Sequence, residues 1–317
     1  MVASPALAVT LQELNQLRLP AAALSLQQLM RGRLAGSEGR VMNQAGRGLE
    51  FREVRAYQPG DDPRYLDWKV TARRGQAFTR TFEAEHQRPV ALFVEQTSQL
   101  QFGSLASKAV MAARLAALFG WAALHEGEKV GGWIETDQGG WWEAPARGSR
   151  YFIRWLARLA ACNQELGELQ PAPRNQLDLA LAAMRQRLPA ASLVILISDF
   201  RSCQQDALLR WMAQKHALVL VHLTDPLDQQ LPTHLGPVTA AGERWHLSRE
   251  QTDLWQASFA QRQQWLRAAL GSRGRYIEIS TRDESRWLQQ LLPGYNRKLQ
   301  QEQVDYSHPL GTGTSNA

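Results

Sequence analysis

The stretch Pro89-Val90-Ala91-Leu92-Phe93-Val94-Glu95-Gln96-Thr97-Ser98-Gln99-Leu100 is apolar without interruption until it breaks into a carboxylate, followed by hydroxyl and amide side chains. An apolar run with no alternation is what a strand shows when both faces of its sheet are covered. The same pattern recurs at Ser192 to Ser198, S-L-V-I-L-I-S, which runs into Asp199, and at Ala217 to Leu223. Between these runs the period changes. Ser104 to His125 is apolar on nearly every side of a helix, as a buried crossover should be. Leu177, Leu181, Met184 and Leu188 share one helical face. Residues 149 to 162 and Cys203 to His216 also read as helices. Strand and helix alternate from Pro89 onward, which predicts an α/β fold with an open, mostly parallel sheet and helices on both faces. In such sheets ligands bind beyond the carboxyl ends of the strands. Glu95 and Asp199 both fall at that edge.

The remaining elements follow the same logic. Lys129 to Glu135 and Gly140 to Glu143 read as strands of a hairpin or an edge. Ser248 with Gln251 forms a capping-box pattern opening a helix to about Ser272. Tyr276 to Ser280 reads as a last strand, with a helix near Glu284 to Leu292. The chain thus divides into an N-terminal helical segment over 1–45, an Arg/Asp-rich strand and loop subdomain over 46–88, the α/β domain over 89–296, and a polar tail over 297–317 expected to be disordered.

Composition narrows the function classes. The 317 residues carry a net charge of +6, but the arginines are interleaved with acids, as in F-R-E-V-R and T-R-D-E-S-R. No basic run or nucleic-acid motif stands out, so nucleic-acid binding is not expected. Cys162 and Cys203 lie far apart, which suits a reducing compartment and gives no cysteine metal site. The N-terminus has no basic n-region, and the Ala106 to Leu124 run is broken by Lys108 and Arg114, so neither a signal peptide nor a membrane span is read. A cytoplasmic protein is expected. The histidines form no metal-binding pair, and neither a phosphate-binding loop nor a nucleophile elbow is present. No catalytic set emerges, so an enzyme is not expected. The eleven tryptophans are scattered and expected mostly in cores or domain interfaces.

Gly46 to Arg73, G-R-G-L-E-F-R-E-V-R-A-Y-Q-P-G-D-D-P-R-Y-L-D-W-K-V-T-A-R, resembles the bacterial domain-of-unknown-function family number 58. The Y-Q-P-G-D-D, R-x-x-D-W and A-R blocks carry the resemblance. The Glu95 strand, the Asp199 strand and the helix between them resemble the von Willebrand factor A-like domain that follows in this family. The match extends over roughly residues 40 to 292. It implies a protein–protein interaction or scaffold role rather than catalysis. Family members are often encoded beside MoxR-type AAA+ ATPases and von Willebrand A proteins, which makes such proteins the implied partners, in assembling or activating other complexes.

The resemblance also implies a place for a metal ion. The metal-ion-dependent adhesion site of von Willebrand A domains uses D-x-S-x-S after the first strand, a Thr from a later loop and an Asp after a central strand. Here those positions fall on Glu95, Thr97, Gln99, Leu177 (beside Asp178) and Asp199. Mg²⁺ wants oxygen ligands in a near-octahedral shell at about 2.0–2.1 Å. Glu95 adds a methylene, moving its carboxylate by about 1.5 Å; Gln99 offers a neutral carbonyl and Leu177 nothing. Counting Thr97, which stands for a Ser but keeps the hydroxyl, four of five positions are lost or altered. The site is read as degenerate, with Mg²⁺ or Ca²⁺ binding weak at most and no cofactor expected. Glu95 and Asp199 should instead be hydrogen-bonded or paired with arginines such as Arg201. A vacated site would make Asp199→Ala nearly neutral.

Asp61, Asp62 and Asp67 suggest an alternative, a metal-dependent hydrolase using Glu95, Asp199 and the Asp61/Asp62 pair. Turn chemistry accounts for Pro59-Gly60-Asp61-Asp62-Pro63 more simply, and Arg52, Arg55, Arg64, Arg73 and Arg74 are close enough in sequence to pair with these acids. The reading favoured over catalysis is a structural ion network, and the docking surface such a rigid loop could form would comprise Arg55, Tyr57, Gly60, Asp61, Asp62, Arg64, Asp67, Trp68 and Arg73. Trp68 could be core or an exposed anchor.

Overall fold

The structure is a computed structural model that describes residues 8–31, 50–58, 66–83, 88–101, 103–104, 106–167, 173–229, 231, 238–240, 243–245, 249–282 and 291. Two compact units divide the chain, one over 42–88 and one made of 1–41 with 89–317. The larger unit begins with three short helices, α1 (Leu11–Gln16), α2 (Arg18–Ala21) and α3 (Leu26–Arg31). These N-terminal helices therefore belong to the same unit as the sheet.

The smaller unit pairs β1 (Glu50–Ala56) antiparallel with β2 (Phe78–Glu83), and α4 (Trp68–Arg74) lies between them in sequence. The helix corrects the expectation of strands and loop alone. Seven residues are too few to show a helical period, but both of its ends are chemically marked. Asp67 Oδ1 accepts the N–H groups of Lys69 and Val70, each at 3.1 Å, as an N-cap should. At the other end Gly75, with φ of 66°, takes the left-handed conformation and donates to the Thr71 carbonyl.

The sheet of the larger unit is built from β3 (Val90–Gln96), then α5 (Lys108–His125), β4 (Val130–Thr136), β5 (Gly139–Ala146), α6 (Ser149–Gln164), α7 (Gln176–Arg185) and β6 (Leu193–Ser198). It continues through α8 (Asp206–Lys215), β7 (Ala217–Thr224), α9 (Pro226–Gln229), a small hairpin of β8 (Val238–Ala240) and β9 (Glu243–Trp245), α10 (Arg249–Leu270) and β10 (Gly274–Ser280). The strand order is β10-β7-β6-β3-β4-β5. All neighbours run parallel except the edge strand β5, which is antiparallel to β4. The expected α/β architecture, open and mostly parallel, is present.

Alternate residues of each central strand feed opposite cores. Val90, Leu92 and Val94 of β3, with Leu193, Ile195 and Ile197 of β6, join α5, α6 and the N-terminal helices. Ala91, Phe93, Val194 and Leu196 face a second core with residues of α7, α8 and α10. Both cores need apolar side chains, so neither parity of the strand can be polar. Covered by the sheet on one side and by α1, α2, α3 and α6 on others, α5 is buried around almost its whole girth. Gly120 permits the closest approach there: a Cβ at this position would overlap the Phe152 ring of α6.

Two boundaries differ from the sequence reading. The helix expected from Cys203 begins at Asp206, because Gln205, with φ of -101° and ψ of 93°, is extended, while Asp178 accepts the N–H groups of Gln204 and Gln205. The expected helix near Glu284 to Leu292 lies outside the described residues apart from Leu291, as do Ser248 and the tail after Asn296.

Candidate functional site

The order of the sheet reverses between β3 and β6. The helix after β3, α5, covers one face, and the helix after β6, α8, covers the other. Such a switch point leaves a crevice beyond the carboxyl ends of the two strands. Glu95, Thr97, Ser198 and Asp199 all stand there, and all are buried.

Glu95 is held by hydroxyls. Thr97 Oγ1 donates to Glu95 Oε1 at 3.0 Å and Ser198 Oγ to Oε2 at 2.5 Å. Burial, and then the negative charge of Asp199, push the Glu95 carboxyl up to about 7 against those two hydrogen bonds. Ser198 Oγ in turn accepts the N–H of Phe200 at 2.8 Å. Phe200 has φ of 55°, a left-handed conformation that costs a side-chain-bearing residue roughly 1–2 kcal/mol. That strain turns the chain sharply just after Asp199.

Asp199 has a different environment. Its Oδ2 lies 3.2 Å from Lys108 Nζ and 3.2 Å from Arg201 Nε. Its Oδ1 accepts the Arg201 N–H at 3.0 Å. Burial alone would raise its pKa, but Lys108 and Arg201 outweigh burial and hold it below the usual range. The same two cations also hold Asp228 of α9: Lys108 Nζ is 2.8 Å from its Oδ2 and Arg201 Nη2 is 2.5 Å from its Oδ1. Lys108 is itself 1% exposed. The Arg201 guanidinium lies over the Trp255 ring, 4.7 Å from its centroid. Asp199 is therefore paired with Arg201, as the sequence suggested, and also with Lys108, which gives it a structural use independent of any ion.

Neighbouring acids at this edge are committed to loops. Asp225 accepts from Ser104 N at 2.7 Å, Ser104 Oγ at 2.9 Å and the Thr281 hydroxyl. Asp178, beside the Leu177 expected at the Thr position, accepts Gln204 N at 3.0 Å and Gln205 N at 3.2 Å. Leu177 is core. Asp137 accepts from both Ser98 N and Ser98 Oγ, fixing the 3₁₀ turn Ser98–Gln101 in which Gln99 sits half-buried. Glu135 is raised by burial and accepts from Trp133 Nε1 at 2.8 Å. Among the described residues no group of three or more His, Cys, Asp or Glu side chains is arranged to hold a metal ion.

In the smaller unit, Asp67 is buried as the cap of α4, whereas Trp68 is 70% exposed and Arg73 is exposed in the last turn. Tyr57 donates its N–H to the Ala77 carbonyl at 2.8 Å and is half-buried. The side chain of Arg55, in β1, and the residues Gly60, Asp61, Asp62 and Arg64 lie outside what is described. The Asp61/Asp62 pair required by the hydrolase alternative is thus not placed. Among the described residues no helix is long and apolar enough to cross a membrane. Cys162 and Cys203 are buried free thiols.

Sequence reading missed Lys108, Asp228 and Arg262, whose charge also acts on Asp199. One signal for Lys108 was available. A cation on a helix that is otherwise apolar all round must find an internal partner or reach solvent. Arg114, the other charge on that helix, obeys the same rule, with its Nε 2.6 Å from Glu13 of α1.

Uncharacterized proteins of Mycobacterium bovis and Mycobacterium tuberculosis are each 30% identical to the chain over 189 residues, 59% of this chain and 58% of theirs. The chain thus spans less than two thirds of the length of these curated relatives. Among solved structures, a conserved hypothetical protein, BatB, from Bacteroides thetaiotaomicron aligns with a TM-score of 0.37 at 12% identity, over 66% of this chain and 98% of that one. The SpRpn10 VWA domain aligns at 0.36 and 10%, over 73% of this chain and 100% of that domain. A family model matches residues 53–271, and the chain belongs to that family, described as "Protein of unknown function DUF58".

Proposed function

We propose that the chain is a non-catalytic interaction or scaffold protein, acting as an adaptor for a MoxR-type AAA+ ATPase and its von Willebrand A-domain companions. Trp68 carries the reading: a large aromatic side chain, 70% exposed, on a helix capped at both ends within the family signature. An exposed tryptophan on a fixed backbone is the type of side chain that anchors protein interfaces, because it buries a large area at little conformational cost. Lys69, Arg73 and Arg74 are exposed on the same helix, which suits an acidic rim on the partner. The described site residues support a structural use of the sheet edge, since its carboxylates are taken up by cations, hydroxyls and backbone N–H groups.

The test is a tagged pull-down from the native cell, run in parallel with Mg²⁺ and with EDTA and read by mass spectrometry. An AAA+ ATPase retained in both, and lost with Trp68→Ala, supports the adaptor reading. Recovery of no ATPase under either condition rejects it. A partner lost only in EDTA directs attention first to the partner's own nucleotide-bound Mg²⁺.

A further inference from the structure

The N-terminal end of α5 is an unfavourable place for a buried cation. The helix dipole is positive there, and removing an ammonium from water costs several kcal/mol unless it is paired. Ser107 nevertheless caps this end, its Oγ accepting the Val110 N–H at 3.2 Å, and Lys108 follows as the first helical residue with its side chain 1% exposed. Because α5 follows β3, that end lies at the carboxyl edge of the sheet, and the ammonium meets Asp199, just after β6, and Asp228 from α9 at 3.2 and 2.8 Å. Both distances fall within the N–H···O hydrogen-bond range. Arg201 spans the same two carboxylates, so among the described residues two cations pair with these two anions, with Arg262 adding a further positive influence on Asp199.

The geometry points to Lys108 as a tethered cation that takes up Asp199, one of the two carboxylates the family resemblance gives to a divalent ion, and ties it to Asp228 instead. The edge site is closed to Mg²⁺ and Ca²⁺ because Asp199 is neutralised from within the chain and both oxygens of Glu95 accept from hydroxyls. A divalent ion entering there would have to displace a covalently attached ammonium and would meet Arg201 and Arg262 as like charges. The physical gain over a bound metal is that occupancy no longer depends on ion concentration. For the proposed adaptor, this makes the sheet edge a fixed part of the fold that needs no divalent ion.

The experiment needs no partner, so its outcome is separate from that of the adaptor reading. Full-length wild-type protein is melted in Mg²⁺, in Ca²⁺ and in EDTA, and Mn²⁺ binding is followed by electron paramagnetic resonance. The expected results are superimposable melting curves and no bound Mn²⁺ that depends on Asp199. A stabilisation by divalent ions that disappears in folded Asp199→Asn, or in Thr97→Val should the first variant not fold, overturns the proposal. A stabilisation that survives these changes places the ion elsewhere and leaves the closure intact. The second measurement is Lys108→Met, expected to lower Tm by roughly 6–20 °C. Adding Asp228→Asn to it should recover part of that loss, because fewer uncompensated charges remain buried. A Lys108→Met protein that melts like wild type, or strictly additive losses in the pair, shows a packing role only and also overturns the proposal.

Discussion

Asn163 of α6 donates from Nδ2 to Gln96 Oε1 at 2.8 Å, and its own amide oxygen accepts the N–H of Val9 at 2.9 Å. Gln96 is the last residue of β3, directly after Glu95, and its Nε2 donates to the Ala109 carbonyl of α5 at 3.0 Å. Gln164 adds a bond from Nε2 to the Val9 carbonyl. A buried polar chain thus runs from the N-terminal segment through α6 to the strand that carries the site. Such chains are costly to break because each orphaned group keeps its desolvation penalty.

Asn163→Leu should therefore destabilise the protein by roughly 2–4 kcal/mol. Urea unfolding measures this, and hydrogen exchange should show faster opening of α1. The double change Gln96→Leu/Asn163→Leu should cost less than the sum of the two single changes. Additive losses would mean that the two amides are not energetically coupled.

Asp199→Ala should cost roughly 3–5 kcal/mol, since it leaves Lys108 and Arg201 with one carboxylate fewer in a buried setting. Thermal or chemical melting decides it. A nearly neutral substitution would contradict the pairing seen here and favour a dispensable acid.

Glu95 and His222 should give opposite pH dependences. Glu95 is raised from 4.5 to about 7, so the folded state holds a proton that the unfolded chain has released. Its contribution to stability is present below the unfolded value and is lost as pH rises from about 4.5 to 7. Glu95→Gln should remove that loss, raising stability near pH 8 relative to wild type while leaving it little changed near pH 4.5.

His222 is lowered to about 4, by burial first, and its Nδ1 lies 2.7 Å from the Tyr276 hydroxyl. Its contribution is present above the unfolded value near 6.5 and is lost as pH falls toward 4, by at most roughly 3 kcal/mol. Melting His222→Phe and Glu95→Gln across this range should separate the two slopes. Parallel pH profiles for wild type and both variants would reject the assignments.

Asp67 and Trp68 are neighbours with separable roles. Asp67→Ala should cost about 1 kcal/mol of stability through loss of the α4 cap. Trp68→Ala should change stability by no more than about 0.5 kcal/mol but reduce partner retention in the pull-down. A Trp68→Ala protein that unfolds as easily as a core mutant would show the ring to be packed rather than presented.

The sequence by itself determined the layered fold, because strands such as Val90–Val94 and Leu193–Ser198 are apolar at both parities and only a doubly covered sheet accepts them. It also determined which acids end those strands, and therefore that Glu95 and Asp199 share an edge. The signature helix α4 was legible only at its ends, in Asp67 and Gly75, since seven residues carry too little period. The hairpin β8–β9 and the single turn α9 are shorter still. What meets the carboxylates was decided by tertiary structure alone. Lys108, Asp199 and Asp228 come from three separate elements, and long-range pairing of charges leaves no local pattern in the chain. Their convergence follows from the strand order, which brings the start of α5, the end of β6 and α9 to one crevice, where a buried ammonium can be stable only between two carboxylates.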